Sequence, residues 1–189
     1  MKKIGKPATD LIPTPVVLVT TQGREGPPNI VTLAWVGVLS SDPPLVGIGI
    51  RPERYSYRLL RETWEFCVNI PHRDMVREVD VCGVVSGKDT DKFSLTGLEA
   101  EKASKVHPPL IRQCPINLEC RVIRTLDLGS HTLFIGRVLT VHHDEAILDD
   151  RGRISLSRLT PLAYCPGVHD YRALGEKVGW YGFTKGKMA

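Results

Sequence analysis

Three arginines crowd one strand-to-helix junction. In VGIGIRPERYSYRLLRE, Val46 to Glu62, an apolar strand runs into a helix whose front carries Arg51, Arg54 and Arg58. A helix N-terminus already bears partial positive charge from N–H groups without intrahelical partners, so cations placed there oppose the backbone dipole and call for an anion. Free N–H groups, the Ser56 hydroxyl and the Arg51 guanidinium, with Arg54 and Arg58 nearby, make a socket for a phosphate. The same arginines could instead pair with Glu53, Glu62 or another surface acid, and the residues alone leave both readings open.

Other chemistry finds less support. GIGIRP, Gly47 to Pro52, has no third glycine and no helix directly behind it, which is the wrong context for a dinucleotide fingerprint. GVVSGKD, Gly83 to Asp89, has three residues between its glycines where a P-loop needs four, and Asp89 replaces the Ser or Thr that would hold magnesium. In HHDE, His142 to Glu145, neighbouring strand residues point to opposite faces, so a solvated strand end is expected and no metal is assigned. No Ser, His and acid grouping can be assigned by spacing, because a triad is defined by geometry. The five cysteines, Cys67, Cys82, Cys114, Cys120 and Cys165, include no C-x-x-C pair and read as small apolar residues of a reducing compartment.

The elements that must position the socket read as mainly β. Strands are expected over PVVLVTT, IVTLAWVGVLS, LVGIGI and EFCVNIP, separated by Gly- and Pro-rich turns, with a short helix over SYRLLRET that starts from Ser56 as N-cap. RDMVREVDVCGVV reads as a helix capped by Asp74, and SGKDTDKFSLTGLE as a loop. INLECRV and HTLFIGRVLTVHH, joined through DLGS, form a second long hairpin. Strands two and three are apolar on both faces, as Val31, Leu33 and Trp35 stand against Ile30, Ala34 and Val36, so a closed barrel plus a subunit interface is expected. The tail from residue 161 is too irregular for a helix and is expected to wrap the barrel or a partner subunit.

At 189 residues, one domain spanning 1–189 is the natural reading. The net charge of +4 comes from Lys and Arg scattered among acids, so it suits small anions without pointing to nucleic acid. No window approaches the roughly 18 apolar residues of a membrane span, and the N-terminal MKKIGKPATDLIP lacks a signal peptide's apolar stretch. A cytoplasmic protein with no membrane partner is expected.

Four segments in order, NIVTLAWVGVLSSDPPLVGIGIRPERYSYRLLRETWEFCVNIP, DVCGVVSGKDTDKF, LGSHTLFIGRV and PLAYCPGVHDYRALG, resemble the flavin reductase-like FMN-binding family, above all its flavoredoxin branch. The resemblance runs from about Pro15 to the end and implies a split β-barrel of Greek-key type with a few short helices. It also implies a homodimer binding FMN near the subunit interface. On it, Thr32, Leu33, Ala34 and Trp35 match the segment beside the flavin, and Ser40 and Ser41 match small polar positions before the DPP turn. Gly49, Ile50, Arg51, Ser56 and Tyr57 match phosphate and ribityl contacts, while Ser86, Lys92 and Phe93 match a cofactor-binding loop with Lys92 towards the phosphate. His131 matches a histidine at the pocket mouth, where a nicotinamide could stack; a plain turn residue capping the hairpin is the alternative, as a surface charge pairing Asp89 is for Lys92.

The implied chemistry is hydride transfer from NADH or NADPH to flavin, which needs ring stacking more than acid or base side chains. Three readings follow: an NAD(P)H-dependent flavin reductase, an electron carrier reduced by a redox protein partner, and a non-catalytic barrel holding another phosphate-bearing ligand such as pyridoxal phosphate, or the propionates of haem.

Overall fold

The structure is a computed structural model that describes residues 1–185. The segment expected as one strand from Ile30 is two, because the chain turns a corner at Ala34 and Trp35. In chain order the first half contains β1 (Thr14–Pro15), β2 (Val17–Thr21), β3 (Asn29–Leu33), β4 (Val36–Ser41), β5 (Pro44–Ile50), α1 (Tyr55–Thr63), β6 (Glu65–Ile70) and α2 (Val76–Val84). The second contains α3 (Lys92–Thr96), β7 (Ala100–Glu101), β8 (Leu110–Ile111), β9 (Ile116–Asp127), β10 (Thr132–His143), α4 (Leu156–Leu159), β11 (Leu162–Cys165) and β12 (Asp170–Ala173).

Seven strands form one antiparallel sheet in the order β3-β2-β6-β9-β10-β5-β4. Its two edges, β3 and β4, are consecutive in the chain with only Ala34 and Trp35 between them. Two residues span only about 7 Å, so the sheet has to curl until its edges nearly meet. The Gly49 N–H donates to the Trp35 carbonyl at 2.7 Å, which carries the β4–β5 ladder one residue further back to the corner. This is the split barrel expected from the sequence.

Inside the curl, Val17, Val19, Val31, Leu33, Ile48, Ile50, Phe66 and Phe134 make the principal core. Gly136 is needed there: a Cβ on it would lie 2.6 Å from the Phe66 ring, which is fully buried. The opposite faces of β2 and β3 bury Leu18 and Ile30 against Val79, Cys82, Phe93, Leu98 and Leu162. The chain's own α2, α3 and C-terminal hairpin therefore cover these double-sided strands. Edge strand β4 is not covered in this way, and exposes Val38 and Leu39.

Several local expectations change. Ser56 is not the N-cap of α1; Arg54 holds that position without a side-chain cap, and Ser56 lies inside the first turn. Asp74 does not cap α2, because a 3₁₀ turn over Arg73–Met75 intervenes and the His72 ring accepts from the Asp74 N–H at 3.3 Å. The expected loop after Ser86 contains α3, whose cap is Asp91, accepting from the Phe93 and Ser94 N–H groups at 3.0 and 3.3 Å. Asp91 satisfies two orphan donors of a helix too short to show a periodic pattern. The tail forms the hairpin β11–β12, which pairs with β1 in register Thr14 to Tyr164. Its last residues, 186–189, lie outside the described residues.

His142 lies at the end of β10 and is partly exposed, as expected, but it is not free in solvent. Its Nε2 lies 2.6 Å from Glu119, a fully buried carboxylate that also accepts from Ser104, Lys105 and Val106 N–H groups at 2.8, 2.5 and 3.1 Å and from the Ser104 hydroxyl at 2.8 Å. Burial alone would raise the Glu119 pKa, but these hydrogen bonds outweigh it and bring it down to about 2.

Candidate functional site

The barrel seam opens into a cavity of about 510 Å³, within the usual size for a small-molecule site. The end of β3 and the corner line it through Thr32, Leu33, Ala34 and Trp35, β5 contributes Gly49, and Arg51 follows directly after β5. Gly49 keeps this wall thin, since a Cβ there would stand 3.1 Å from that of Trp35. Ala34 lies outside both ladders, with β3 pairing up to Leu33 and β4 resuming at Val36. Its main-chain polar groups have no backbone partner among the described residues, and Ala34 lines the cavity. His131 stacks on Trp35 with ring centroids 5.6 Å apart and planes 6° from parallel. Burial first and the Arg51 charge second lower the His131 pKa, with Glu53 opposing, which favours the neutral imidazole.

A second lobe of about 330 Å³ shares Val31, Arg51 and Arg54 with the first. It holds the start of α1 with Tyr55 and Ser56, the loop residues Ser86 and Gly87, and Lys92. No acid sits in the first turn of α1, so nothing neutralises its N–H groups from within. Lys92 is only 4 % exposed and donates to the Ile30 and Cys82 carbonyls at 2.8 Å each. It is no surface partner of Asp89. An ammonium has three donors, so one remains for the lobe. Burial pulls its pKa down to about 8, with Cys82 opposing and Arg54 reinforcing the shift.

The structure divides the arginines. Arg58 lies over the Tyr55 ring and 3.9 Å from Glu62, outside both lobes, as the surface-pair reading held. Arg51 is 3.8 Å from Glu53 with both side chains more than half exposed, a contact too loose and too wet to fix it. Among the described residues, the Arg54 side chain reaches only the Gly83 carbonyl, at 3.5 Å.

Of the residues singled out in the sequence, Thr32, Leu33, Ala34, Trp35, Gly49, Arg51 and His131 line the first lobe, and Arg51, Ser56, Ser86 and Lys92 the second. Five line neither. Ser40 and Ser41 sit beyond the irregularity between Val38 and Ser40, near the far end of β4. Ile50 alternates inward from Gly49 and Arg51 into the core, and Phe93 packs with Cys82 and Ile30. The Tyr57 ring meets Phe134 edge-on with centroids 5.4 Å apart, and its hydroxyl accepts from Thr132 at 3.5 Å.

Sequence reasoning missed a polar cluster in the first lobe. The Tyr171 hydroxyl donates to Asp80 at 3.3 Å, and the Tyr164 hydroxyl is 2.9 Å from His169 Nδ1. All four residues line the cavity. His169 adopts a left-handed conformation at φ 59°, a strained choice for a side chain of this size. The signal was the Tyr and His spacing in AYCPGVHDY, which reads as turn chemistry until β11 and β12 are paired.

Residues 9–173 match the family model of the flavin reductase like domain. The chain belongs to that family. It is 34% identical to the flavoredoxin of Desulfovibrio vulgaris (Miyazaki F), covering 98% of this chain and 100% of that one with a TM-score of 0.92. Flavoredoxin from Methanosarcina acetivorans is 30% identical, with 100% of both chains covered and a TM-score of 0.90. An uncharacterized protein of Archaeoglobus fulgidus is 38% identical over 128 residues, 68% of this chain and 72% of its own.

Family membership makes this a flavin-binding redox protein, and the cavity can be tested against that group. The residues fit. In the first lobe, Val16, Val31, Leu33 and Trp35 lie around the Ala34 corner with the polar cluster of Asp80 and His169 beside them, which suits a planar ring with a polar edge. The adjoining lobe, where Arg51, Arg54 and Lys92 outnumber the one acid, Glu53, suits a phosphate. Among the described residues, no helix is long and apolar enough to cross a membrane, and no three metal-ligating side chains cluster.

Proposed function

We propose that the protein is an FMN-dependent oxidoreductase that takes reducing equivalents from NADH or NADPH. The observation that carries this reading is the continuity of the two lobes through Arg51 and Arg54. When bound, FMN would supply hydride and single-electron chemistry that no side chain in the cavity can supply. The chain's part is then to bind, orient and exclude water. Arg51, Ser56 and Lys92 hold the phosphate, and Ala34 main-chain groups meet the ring's polar edge. The neutral His131, stacked on Trp35, offers a flat uncharged surface at the mouth for a nicotinamide.

A homodimer accompanies this reading. Val38 and Leu39, 77% and 49% exposed on edge strand β4, continue from the half-exposed Trp35 at the cavity lip. A second copy would cover them, and sedimentation of the purified protein would report a dimer.

The similarity to flavoredoxins supports a second reading, in which bound FMN exchanges electrons with a redox protein. One anaerobic experiment separates the two. The yellow protein mixed with NADH or NADPH should bleach quickly if it is a reductase and stay yellow if it is a carrier. A colourless preparation that cannot be reconstituted with FMN would overturn both. Arg51→Ala should weaken FMN binding by about 1.5–3 kcal/mol, the worth of a hydrogen bond to a charged group, with riboflavin binding little changed. Unchanged FMN affinity would place the phosphate elsewhere.

A further inference from the structure

We infer that Asn29 is a positioning residue that turns the Ser56 hydroxyl into an obligate donor for a phosphate monoester. The inference rests on the FMN reading of the polar lobe. Asn29 opens β3, pairs with Thr21 across the ladder and is 5% exposed. Its Nδ2 donates to Ser56 Oγ at 2.7 Å, and Ser56 is 1% exposed.

A hydroxyl has one proton and two lone pairs. Once Asn29 occupies a lone pair, the Ser56 proton has to be donated elsewhere, and among the described residues no group accepts it. Ser56 lines the polar lobe beside Lys92, Arg51 and Arg54. A buried donor left without an acceptor is costly, so an anion in the lobe removes a penalty as well as adding a bond. A neutral alcohol in the same place could both give and take; a phosphate dianion can only accept.

Gly87 holds the amide in place. A Cβ on Gly87 would lie 1.9 Å from Asn29 Oδ1 and 2.5 Å from its carbon, so the loop backbone passes close beside the carboxamide and any side chain there would displace it. Gly87 is thus required by close approach. The two neighbours, Ser56 on one side and Gly87 on the other, fix which hydrogen bond the amide makes. Asn29 lines the same lobe as Ser56 and Gly87, and in this scheme it acts on the phosphate through Ser56.

The test compares FMN with riboflavin, which share the ring and differ by the phosphate. Apoprotein is titrated with each, following flavin fluorescence, and the ratio of the two dissociation constants is read for every variant. Asn29→Ala and Gly87→Ala should each lower the preference for FMN by about five- to tenfold while riboflavin binding holds within about twofold, because only a charge-assisted bond is weakened. Asn29→Asp, whose carboxylate can only accept from Ser56, should lower it further. The double variant Asn29→Ala/Ser56→Ala should lose no more than Ser56→Ala alone, since the two residues act as one unit.

Additive losses in that double variant would overturn the inference. So would an unchanged preference in either single variant whose apoprotein melts near the wild-type temperature. Should Asn29→Ala fail to fold, Gly87→Ala leaves β3 intact and carries the same test. A wild-type protein that binds FMN and riboflavin equally would instead refute the phosphate reading itself.

Discussion

Raising the pH through 8 should release FMN while leaving riboflavin in place. The argument starts from Lys92, whose pKa burial pulls down to about 8 from 10.5. A neutral amine keeps two N–H donors, enough for the Ile30 and Cys82 carbonyls, so deprotonation sacrifices no internal hydrogen bond. What is lost is the third proton and the charge, both of which belong to the phosphate. A bound dianion raises the lysine's pKa again, so above pH 8 binding has to take up a proton. If the bound value returns to 10 or higher, the FMN dissociation constant rises about tenfold between pH 7 and pH 9. The phosphate's own second ionisation, near pH 6, is complete in this window and adds no slope.

Fluorescence titration of apoprotein between pH 7 and 9.5 measures this directly, with riboflavin as the control for ring ionisation. Lys92→Met should bind FMN more weakly at pH 7 and show no slope. Stability carries the complementary sign. In the apoprotein the folded pKa lies below the unfolded one, so between pH 8 and 10.5 the unfolded chain holds more protons and the folded state gains stability as pH rises. The FMN-loaded protein should lack this gain, read as the urea midpoint at each pH. An FMN affinity flat to pH 9.5 in the wild type would refute the assignment of Lys92 to the phosphate.

His131→Ala should leave FMN bound but slow its reduction by nicotinamide in stopped flow; lost colour with an unchanged rate per bound flavin would make His131 a structural residue. Glu119→Gln should destabilise the fold by about 2–4 kcal/mol in urea unfolding, because an amide NH₂ would face donors that now converge on a carboxylate. The Glu119 pKa of about 2 lies below its ordinary 4.5, so its stabilisation is full above 4.5 and fades as pH falls towards 2. The wild type should therefore lose more stability than Glu119→Gln on acidification through that range.

The fold was legible because long alternating strands carry their period in plain view. β10 was recovered nearly whole and β9 over its first seven residues, and the cationic lobe was legible because strand, cations and helix follow one another within a few residues. What was missed depends on distant pairing. Asp80 and the two tyrosines meet only after β11 docks on β1, and Glu119 meets His142 and residues 104–106 only after β9 pairs with β10. Ile50, Tyr57 and Phe93 were misplaced for a related reason. Sequence order puts them beside the site, but the pleat and the helical turn aim their side chains into the core, where apolar area is worth about 25 cal/mol per Å².

The corner at Ala34 and Trp35 explains why this barrel carries its site at the seam and not elsewhere. A closed sheet would pair every main-chain group, and backbone N–H and C=O groups rarely stay unpartnered when buried. Here the ladder with β2 ends at Leu33 and the ladder with β5 resumes at Val36, so the corner leaves Ala34 outside both. Gly49 can satisfy only the Trp35 carbonyl, because it brings one N–H to that gap. The remaining groups at this half-buried corner are open to solvent or to a ligand, and Trp35, His131 and Leu33 beside them offer apolar and aromatic surface to a flat body with a polar edge. The curl that buries the core thus creates the unmet hydrogen-bonding capacity that a flavin ring would fill.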